Sequence, residues 1–147
     1  MSENASVTIT RQSGYQFLVD FGPGIATMLA DEPAPLGQGA GPAPDHILLA
    51  AVANCLSASL LFSLQKFKQD PGALKATATP EMGRNEEKRL RIMAINVKLE
   101  LGQAAGDIEH LDRVLAQFEA FCTVSMSVRQ GIAINVQVQD AAGTVLK

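Results

Sequence analysis

The sequence has few of the residues that build disulfide frameworks and metal centres. Its 147 residues include two cysteines, two histidines, one tyrosine and no tryptophan. Two cysteines are too few for a disulfide framework, so we expect them to be buried hydrophobes, ligands or redox groups. There is no Cys-x-x-Cys, and His46 and His110 are not at ligand spacing from either cysteine or from each other. The sequence therefore predicts no metal site, and no cofactor is expected.

Basic runs and long apolar runs are also missing. The net charge is -3 without a cluster of lysine or arginine, which argues against a nucleic-acid partner. The apolar run from Ile47 to Phe62 is interrupted by Asn54, Ser57 and Ser59, and we expect it to be too short for a membrane span. The first residues show no basic region followed by an apolar one, so we expect a cytoplasmic location.

The sequence is rich in apolar residues. Hydrophobic residues make up 47% of a chain whose length fits a single domain, residues 1–147. The mean hydropathy of +0.12 is high for a small monomer. This favours an oligomer, in which extra apolar surface is buried between chains.

The fold prediction is built around residues 44–62, PDHILLAAVANCLSASLLF. It is rich in Ala and Leu, which favour helix, and Asp45 is suited to the N-cap or the first turn. A helix that is apolar on all sides is normally buried. Cys55 lies mid-helix among small neighbours, which would let another helix or chain approach closely. We therefore expect a central core helix that carries a thiol to a semi-buried pocket.

Strand patterns flank this helix. Alternating apolar and polar residues predict a hairpin at 6–22 with its turn at 12–14, a third strand at 25–30, and a second hairpin from 73–82 and 89–102. A phase slip predicts a β-bulge near Ala94. Residues 31–44 hold four of the seven prolines and are expected to form a loop.

The residue pattern in the last third of the sequence predicts a helix followed by a strand. An amphipathic stripe formed by Ile108, Leu111, Leu115, Phe118 and Cys122 predicts a helix, with Cys122 on its buried face or just beyond it. A short helix capped by Thr123 or Ser125 should end at Arg129, and residues 132–138 alternate as a half-buried strand before a turn at 140–143. The predicted class is α+β, with two hairpin-containing sheets around a long buried central helix.

Two segments carry a resemblance to a known family. Residues 44–55, P-D-H-I-L-L-A-A-V-A-N-C, resemble the N-P-E-x-L-L-A-A-x-x-x-C signature of the osmotically induced protein and organic hydroperoxide resistance (OsmC/Ohr) family. Residues 121–132, F-C-T-V-S-M-S-V-R-Q-G-I, resemble its second signature, C-P-V-S-x-x-x-R-x-G. The order of predicted elements matches over nearly the whole chain. The resemblance implies an OsmC-like fold in an intertwined homodimer.

The resemblance also implies an activity: a thiol peroxidase that reduces organic hydroperoxides at the subunit interface. By position, Cys55 would be the peroxidatic thiol and Cys122 the resolving one, with a dithiol reductant recycling their disulfide. Asp45 aligns with a family glutamate, and Arg11 is the N-terminal arginine that would hold the thiolate. Asp45 is one methylene shorter than that glutamate, and Thr123 replaces the usual proline of the second signature.

The residues set physical requirements of their own. Only a thiolate attacks an O–O bond, and burial raises a cysteine pKa, so Cys55 needs a cation. Its helix has none between Asp45 and Phe62, which leaves the arginines at positions 11, 84 and 129 as candidates. Asp45 is roughly 15 Å along the helix from Cys55 at about 1.5 Å per residue, so any contact between them requires two helices side by side, from two chains.

Other interpretations remain open. The two cysteines can simply be small core hydrophobes, since free Cys is among the most buried residue types. His46 is read as a solvated first-turn residue rather than a catalytic base. The alternative function is a non-catalytic dimer of the same fold that binds a small molecule under stress, and a plain structural dimer with two buried thiols is the third.

Overall fold

A computed structural model describes residues 4–147, which form two compact units. The first contains the chain up to Asn54 together with Leu74–Leu101, and the second contains Cys55–Ala73 and Gly102–Lys147. The long helix α1 (Pro44–Lys66) contributes residues to both. The α+β class, with two antiparallel sheets and one long helix, is confirmed. The assignment of residues 1–147 to one domain stays a prediction.

The first sheet has three antiparallel strands in the order β1 (Thr8–Ser13), β2 (Gln16–Asp20) and β3 (Met28–Ala30). The predicted hairpin and third strand are therefore confirmed. The turn lies one to two residues later than expected, at 14–15, where Gly14 has a φ of 53° that glycine adopts at no steric cost. Val19 is 4% exposed and contributes to the core of this unit.

The proline-rich loop is held by one buried carboxylate. Asp31, 2% exposed, accepts hydrogen bonds from the backbone N–H groups of Glu32 at 2.8 Å, Gln38 at 3.1 Å and Ala40 at 3.0 Å. The Gln16 amide donates a fourth at 3.5 Å. These bonds, the one from Ala40 first, lower the pKa of Asp31 despite its burial. A segment without regular structure therefore reaches the start of α1 along a defined path.

The second sheet is a long hairpin of β4 (Lys75–Arg84) and β5 (Leu90–Glu100). Glu81 pairs with Ala94 but Met82 pairs with Ile92, so Met93 is the extra residue of a bulge. The predicted slip near Ala94 is thus confirmed to within one residue.

Helix α1 begins at the predicted proline, and its buried residues share one face: Leu49, Val52, Leu56, Ser59, Leu60, Ser63 and Leu64. The opposite face exposes Ala51, Ala58, Leu61 and Phe62. The expectation that α1 is buried on all sides is therefore wrong for one chain. Apolar residues surround this helix, but the rest of the chain covers only one of its faces.

By length and composition α1 could also cross a membrane. Its most apolar 18-residue window has a mean hydropathy of 2.1 and is 33% buried, a test that core helices of soluble proteins also pass. The argument that the apolar run is too short does not hold for the helix as a whole, which has 23 residues.

The predicted helix over the 108–122 stripe is divided. Helix α2 (Leu111–Gln117) leads into a 3-10 turn (Phe118–Phe121), and α3 (Thr123–Gln130) follows. Leu115, expected to be buried, is 51% exposed, while Val114 is fully buried. The late start of α2 and the tighter 3-10 turn change the phase of the stripe.

The segment 132–138 is not a strand in the single chain, contrary to the prediction. Its apolar residues are exposed, Ile132 by 62%, Ile134 by 84%, Val136 by 63% and Val138 by 43%. Within residues 4–147 no strand pairs with 132–137, and the chain pairs back around the predicted turn through the Gln139–Val145 bridge and the backbone hydrogen bonds of Val138 with Leu146 and Lys147. An alternating apolar pattern without a partner is typical of a strand completed by another chain.

Candidate active site

Cys122 is the N-cap of α3. Its backbone is extended, with φ -83° and ψ 97°, and its Sγ accepts a hydrogen bond from the backbone N–H of Ser125 at 3.4 Å. The prediction that Thr123 or Ser125 caps this helix was wrong, because the sulfur takes the place of the usual oxygen. Cys122 is fully buried, so its position just beyond the helical stripe is as expected.

Cys55 lies in the middle of α1 and is half-buried. Although the two cysteines are 67 residues apart in sequence (122 − 55), they lie close enough in the second unit for each thiol to influence the pKa of the other. Both are free thiols. The structure thus brings together the two cysteines that the sequence singled out.

The environment of Cys55 favours its neutral form. Burial raises the pKa of Cys55, and so does the hydrogen bond to Cys122. The backbone N–H groups of Val124 and Thr123, in the first turn of α3, act in the opposite direction but do not reverse the shift. No cationic side chain is among these main influences.

The environment of Cys122 has the opposite effect. Burial acts to raise the pKa of this thiol, but hydrogen bonds from Ser125, Cys55 and Ser59 outweigh burial and lower it. A sulfur at a helix N-terminus is stabilised as a thiolate by the N–H groups that point at it. The N-terminus of α3 therefore lowers the pKa of Cys122, whereas burial raises that of Cys55.

Ser59 is the site residue that the sequence reading missed. It is 7% exposed and its hydroxyl hydrogen-bonds Cys122. The signal was present, because residues four apart share one face of a helix and Ser59 follows Cys55 at that spacing. Ser63 continues the same face one turn later, but its buried hydroxyl has no hydrogen-bond partner.

Arg11 and Asp45, the other predicted site residues, belong to the first unit. The Arg11 Nε donates to the Gly14 carbonyl at 2.9 Å across the exposed β-turn. Asp45 accepts from the backbone N–H of His46 at 3.0 Å in the first turn of α1. His46 is exposed and its Nδ1 accepts from the Ala43 N–H at 3.1 Å, which suits a solvated capping residue. The roles of Arg11 and Asp45 stay predictions.

The other two candidate cations have partners of their own. Arg129 pairs with Glu119 at 3.1 Å, and an Arg84 guanidinium nitrogen donates to the Lys88 carbonyl at 2.9 Å. Across the described part of the chain, no group of three or more potential metal ligands is assembled.

An exposed aromatic pair lies in the same unit as the thiols. Phe62 and Phe121 meet edge to face with ring centroids 6.2 Å apart, and the Lys66 ammonium lies 4.8 Å and 4.5 Å from those centroids. Phe121 directly precedes Cys122, and Phe62 follows Cys55 by two helical turns on one face of α1. Both rings are about half exposed, Phe62 by 51% and Phe121 by 49%.

These elements can be compared with known proteins. The family model described as OsmC-like protein matches residues 37–137, from the proline-rich loop through both cysteines into the exposed C-terminal segment. The chain belongs to the OsmC-like protein family. No curated protein gave a significant match to this OsmC-like chain.

Solved structures share its fold. An OsmC-like protein from Mycoplasma pneumoniae has a TM-score of 0.71 at 15% identity, with 90% of this chain and 91% of that chain covered. An organic hydroperoxide resistance protein from Elizabethkingia anophelis, with thiocyanate bound, has a TM-score of 0.66 at 19% identity over 90% and 92%. A protein from Vibrio cholerae described as a candidate organic hydroperoxide resistance protein, with captopril in one of its active sites, has 0.67 at 19% over 90% and 90%.

Proposed function

We propose that this OsmC-like protein is a thiol peroxidase that reduces organic hydroperoxides through Cys55 and Cys122. The observation that carries the proposal is the proximity of two free thiols that influence each other's pKa, one of them on a partly exposed residue. Membership of the OsmC-like family supports it, as do the neighbours described as hydroperoxide resistance proteins.

The burial of the two cysteines supports the roles that we propose for them. Cys55 is partly exposed and can meet a substrate, whereas Cys122 is fully buried. The Cys55 sulfur attacks the terminal peroxide oxygen, the O–O bond breaks, and the alcohol leaves. Cys122 then attacks the Cys55 sulfenic acid, which releases water and forms a disulfide. A dithiol reductant returns the pair to two thiols.

The exposed aromatic pair of the second unit suits an apolar substrate. Phe62 and Phe121 are each about half exposed and meet edge to face, and apolar surface favours contact with the alkyl part of a hydroperoxide. The structure with captopril in an active site supports a small molecule as ligand in this fold.

The working form in this proposal is a homodimer. The uncovered apolar face of α1 and the unpaired segment 132–137 both present apolar surface that a second copy would bury. Strand addition supplies the missing hydrogen bonds and covers alternate side chains. In the dimer, Arg11 and Asp45 are expected to complete the site, with the guanidinium stabilising the Cys55 thiolate and the carboxylate orienting it.

Mass analysis of the protein treated with an alkyl hydroperoxide tests the redox pair. Each wild-type chain should lose two hydrogen atoms and carry a disulfide within the chain. In Cys122→Ser the sulfenic acid has no partner, so Cys55 should go on to sulfinic or sulfonic acid. Absence of a disulfide within one chain, with Cys55 unmodified, would contradict the proposal.

One observation favours the alternative, a non-catalytic protein of the same fold that binds a small molecule. Burial raises the pKa of Cys55, and no cation is among the main influences on that pKa. Stopped-flow oxidation separates the two functions. A peroxidase requires Cys55 to react with an alkyl hydroperoxide far faster than a free thiol does, whereas a binding protein would react no faster.

A further inference from the structure

A cleft of about 610 Å³ lies within the first unit, which contains neither cysteine. Three segments line it: the proline-rich loop, the first turns of α1 and the end of the β4–β5 hairpin next to its turn. Pockets that bind small molecules have volumes of roughly 300–1,000 Å³ and mostly apolar walls with a few polar groups. The size of this cleft is therefore that of a site for a small organic molecule.

The hairpin gives the cleft an uncovered apolar wall. Met82, Leu90 and Ile92 line it, and Met82 pairs directly with Ile92 across the two strands. Leu90 belongs to the same face as Ile92, because side chains two residues apart in a strand point to the same side. Met82 is 47% exposed and Leu90 is 55% exposed. The single chain thus leaves apolar surface here that the organic group of a ligand would bury.

The charged residues of the cleft disfavour an anionic ligand. Glu32, Asp45 and Arg91 line it, which makes two carboxylates and one guanidinium. His46 also lines it, and its Nδ1 accepts a backbone N–H, so that nitrogen carries no proton. The excess of one negative charge repels a molecule that carries a carboxylate and does not act on a neutral one.

We propose that this cleft binds the organic part of the hydroperoxide, that Met82, Leu90 and Ile92 determine its specificity, and that the preferred substrate is neutral and apolar. This role rests on the proposed peroxidase function. Asp45 connects the two, because it lines the cleft and is expected to complete the thiol site in the proposed dimer. The hairpin side chains touch the body of the substrate and not its reacting atoms, so their loss should weaken substrate binding and leave the chemistry unchanged.

Nuclear magnetic resonance of the protein labelled with carbon-13 at the methionine methyl groups tests binding without any turnover. The probe is cumyl alcohol, the stable product of cumene hydroperoxide. The Met82 signal should shift and saturate as the alcohol is added, because the aromatic ring of the alcohol lies against that methyl group. Met93 is the internal control, since it is 62% exposed on the same hairpin and does not line the cleft. No saturable shift at Met82, or equal shifts at both residues, would overturn the inference.

Met82→Ala, with Met93→Ala as its matched control, tests specificity. Burying the exposed 47% of the Met82 side chain corresponds to about 3- to 10-fold in binding. Met82→Ala should therefore slow the oxidation of Cys55 by dilute cumene hydroperoxide by about 3- to 10-fold. Oxidation by hydrogen peroxide, which has no organic group, should keep its rate, and Met93→Ala should change neither rate.

Two results of this comparison would contradict the proposed role. Met82→Ala can slow both oxidants equally, which would show a general effect on the thiol and not on substrate binding. It can also leave the ratio of the two rates unchanged while it weakens the dimer in sedimentation velocity, which would show that a second copy and not a substrate fills the cleft.

Cumene hydroperoxide and its analogue with a carboxylate on the ring test the charge preference. At low salt the neutral compound should oxidise wild-type Cys55 about 2- to 5-fold faster, the range expected for one exposed charge interaction. Glu32→Gln should narrow this difference. Glu86→Gln should not, because it makes the same change of net charge in the hairpin turn, outside the cleft. A carboxylate analogue that reacts as fast as the neutral compound would refute the charge preference.

The cleft and the peroxidase function fail in different ways. If cumyl alcohol shifts the Met82 signal but the protein does not reduce hydroperoxides, the peroxidase function fails and the cleft stands as a binding site for a neutral apolar molecule. If the protein reduces hydroperoxides while Met82 neither shifts with the alcohol nor affects the rates, the peroxidase function stands and the role of the cleft fails.

Discussion

A charge at Ile134 should break the dimer that we propose. Ile134 is 84% exposed in the single chain and lies within the unpaired segment 132–137. Burying an isoleucine side chain fully is worth about 1.5–3 kcal/mol. The exposed fraction therefore corresponds to about 1.3–2.5 kcal/mol per chain, and a twofold dimer buries it twice.

The lost burial in Ile134→Asp is thus about 2.5–5 kcal/mol per dimer. Each 1.4 kcal/mol changes a dissociation constant tenfold, so the dimer dissociation constant should rise by roughly 10²- to 10⁴-fold, with the desolvation of two carboxylates adding to it. Asn135→Asp is the matched control, because successive residues of a strand point to opposite faces and it introduces the same charge. Sedimentation velocity over nanomolar to micromolar concentrations measures both constants.

Two results would refute this reasoning. One is a wild-type protein that stays monomeric at micromolar concentration. The other is an Ile134→Asp dimer whose dissociation constant equals that of Asn135→Asp, which would show that the exposed segment does not lie in the interface.

Three further predictions concern the fold. Leu64→Ala should destabilise the protein by about 2–5 kcal/mol in urea unfolding, and more than Leu115→Ala, because Leu64 is fully buried and Leu115 is 51% exposed; equal losses would contradict the assignment of Leu64 to the core. The pKa of Asp31 lies below its usual 3.8 in the folded state. Ionised Asp31 therefore stabilises the fold fully above pH 3.8, and this stabilisation is lost as the pH falls through the lower pKa of the folded state. Asp31→Asn should flatten the fall of the melting temperature below about pH 4, and an unchanged acid profile would argue against the anchor. Gly41→Ala should lower the melting temperature, because a Cβ there overlaps the Leu29 carbonyl, whereas Gly39→Ser, with open space at its φ of 65°, meets only backbone strain.

Much of the local structure could be predicted from the sequence. The hairpins follow from alternation of apolar and polar residues, and the bulge at Met93 follows from a break in that alternation. The start of α1 follows from Pro44 and the Ala- and Leu-rich run behind it. These features depend on neighbours in the chain, which a single sequence contains.

The phase of the 108–122 stripe could not be predicted, because the switch to a 3-10 turn at Phe118 depends on packing rather than on composition. The segment 132–138 has a strand pattern, but a strand needs a partner and the single chain offers none. In the dimer that we propose, a second copy would supply the partner strand that this pattern requires.

By itself, the sequence determined the fold class and the two cysteines worth following, since both stand in segments that resemble family signatures. Only the tertiary structure decided that the two cysteines lie close together and how each affects the pKa of the other. Burial raises the pKa of Cys55, whereas the N-terminus of α3 and the Ser59 hydroxyl lower that of Cys122. The reason is that the pKa of a thiol depends on the donors and the water around its sulfur, and here those donors come from segments more than 60 residues apart in the chain.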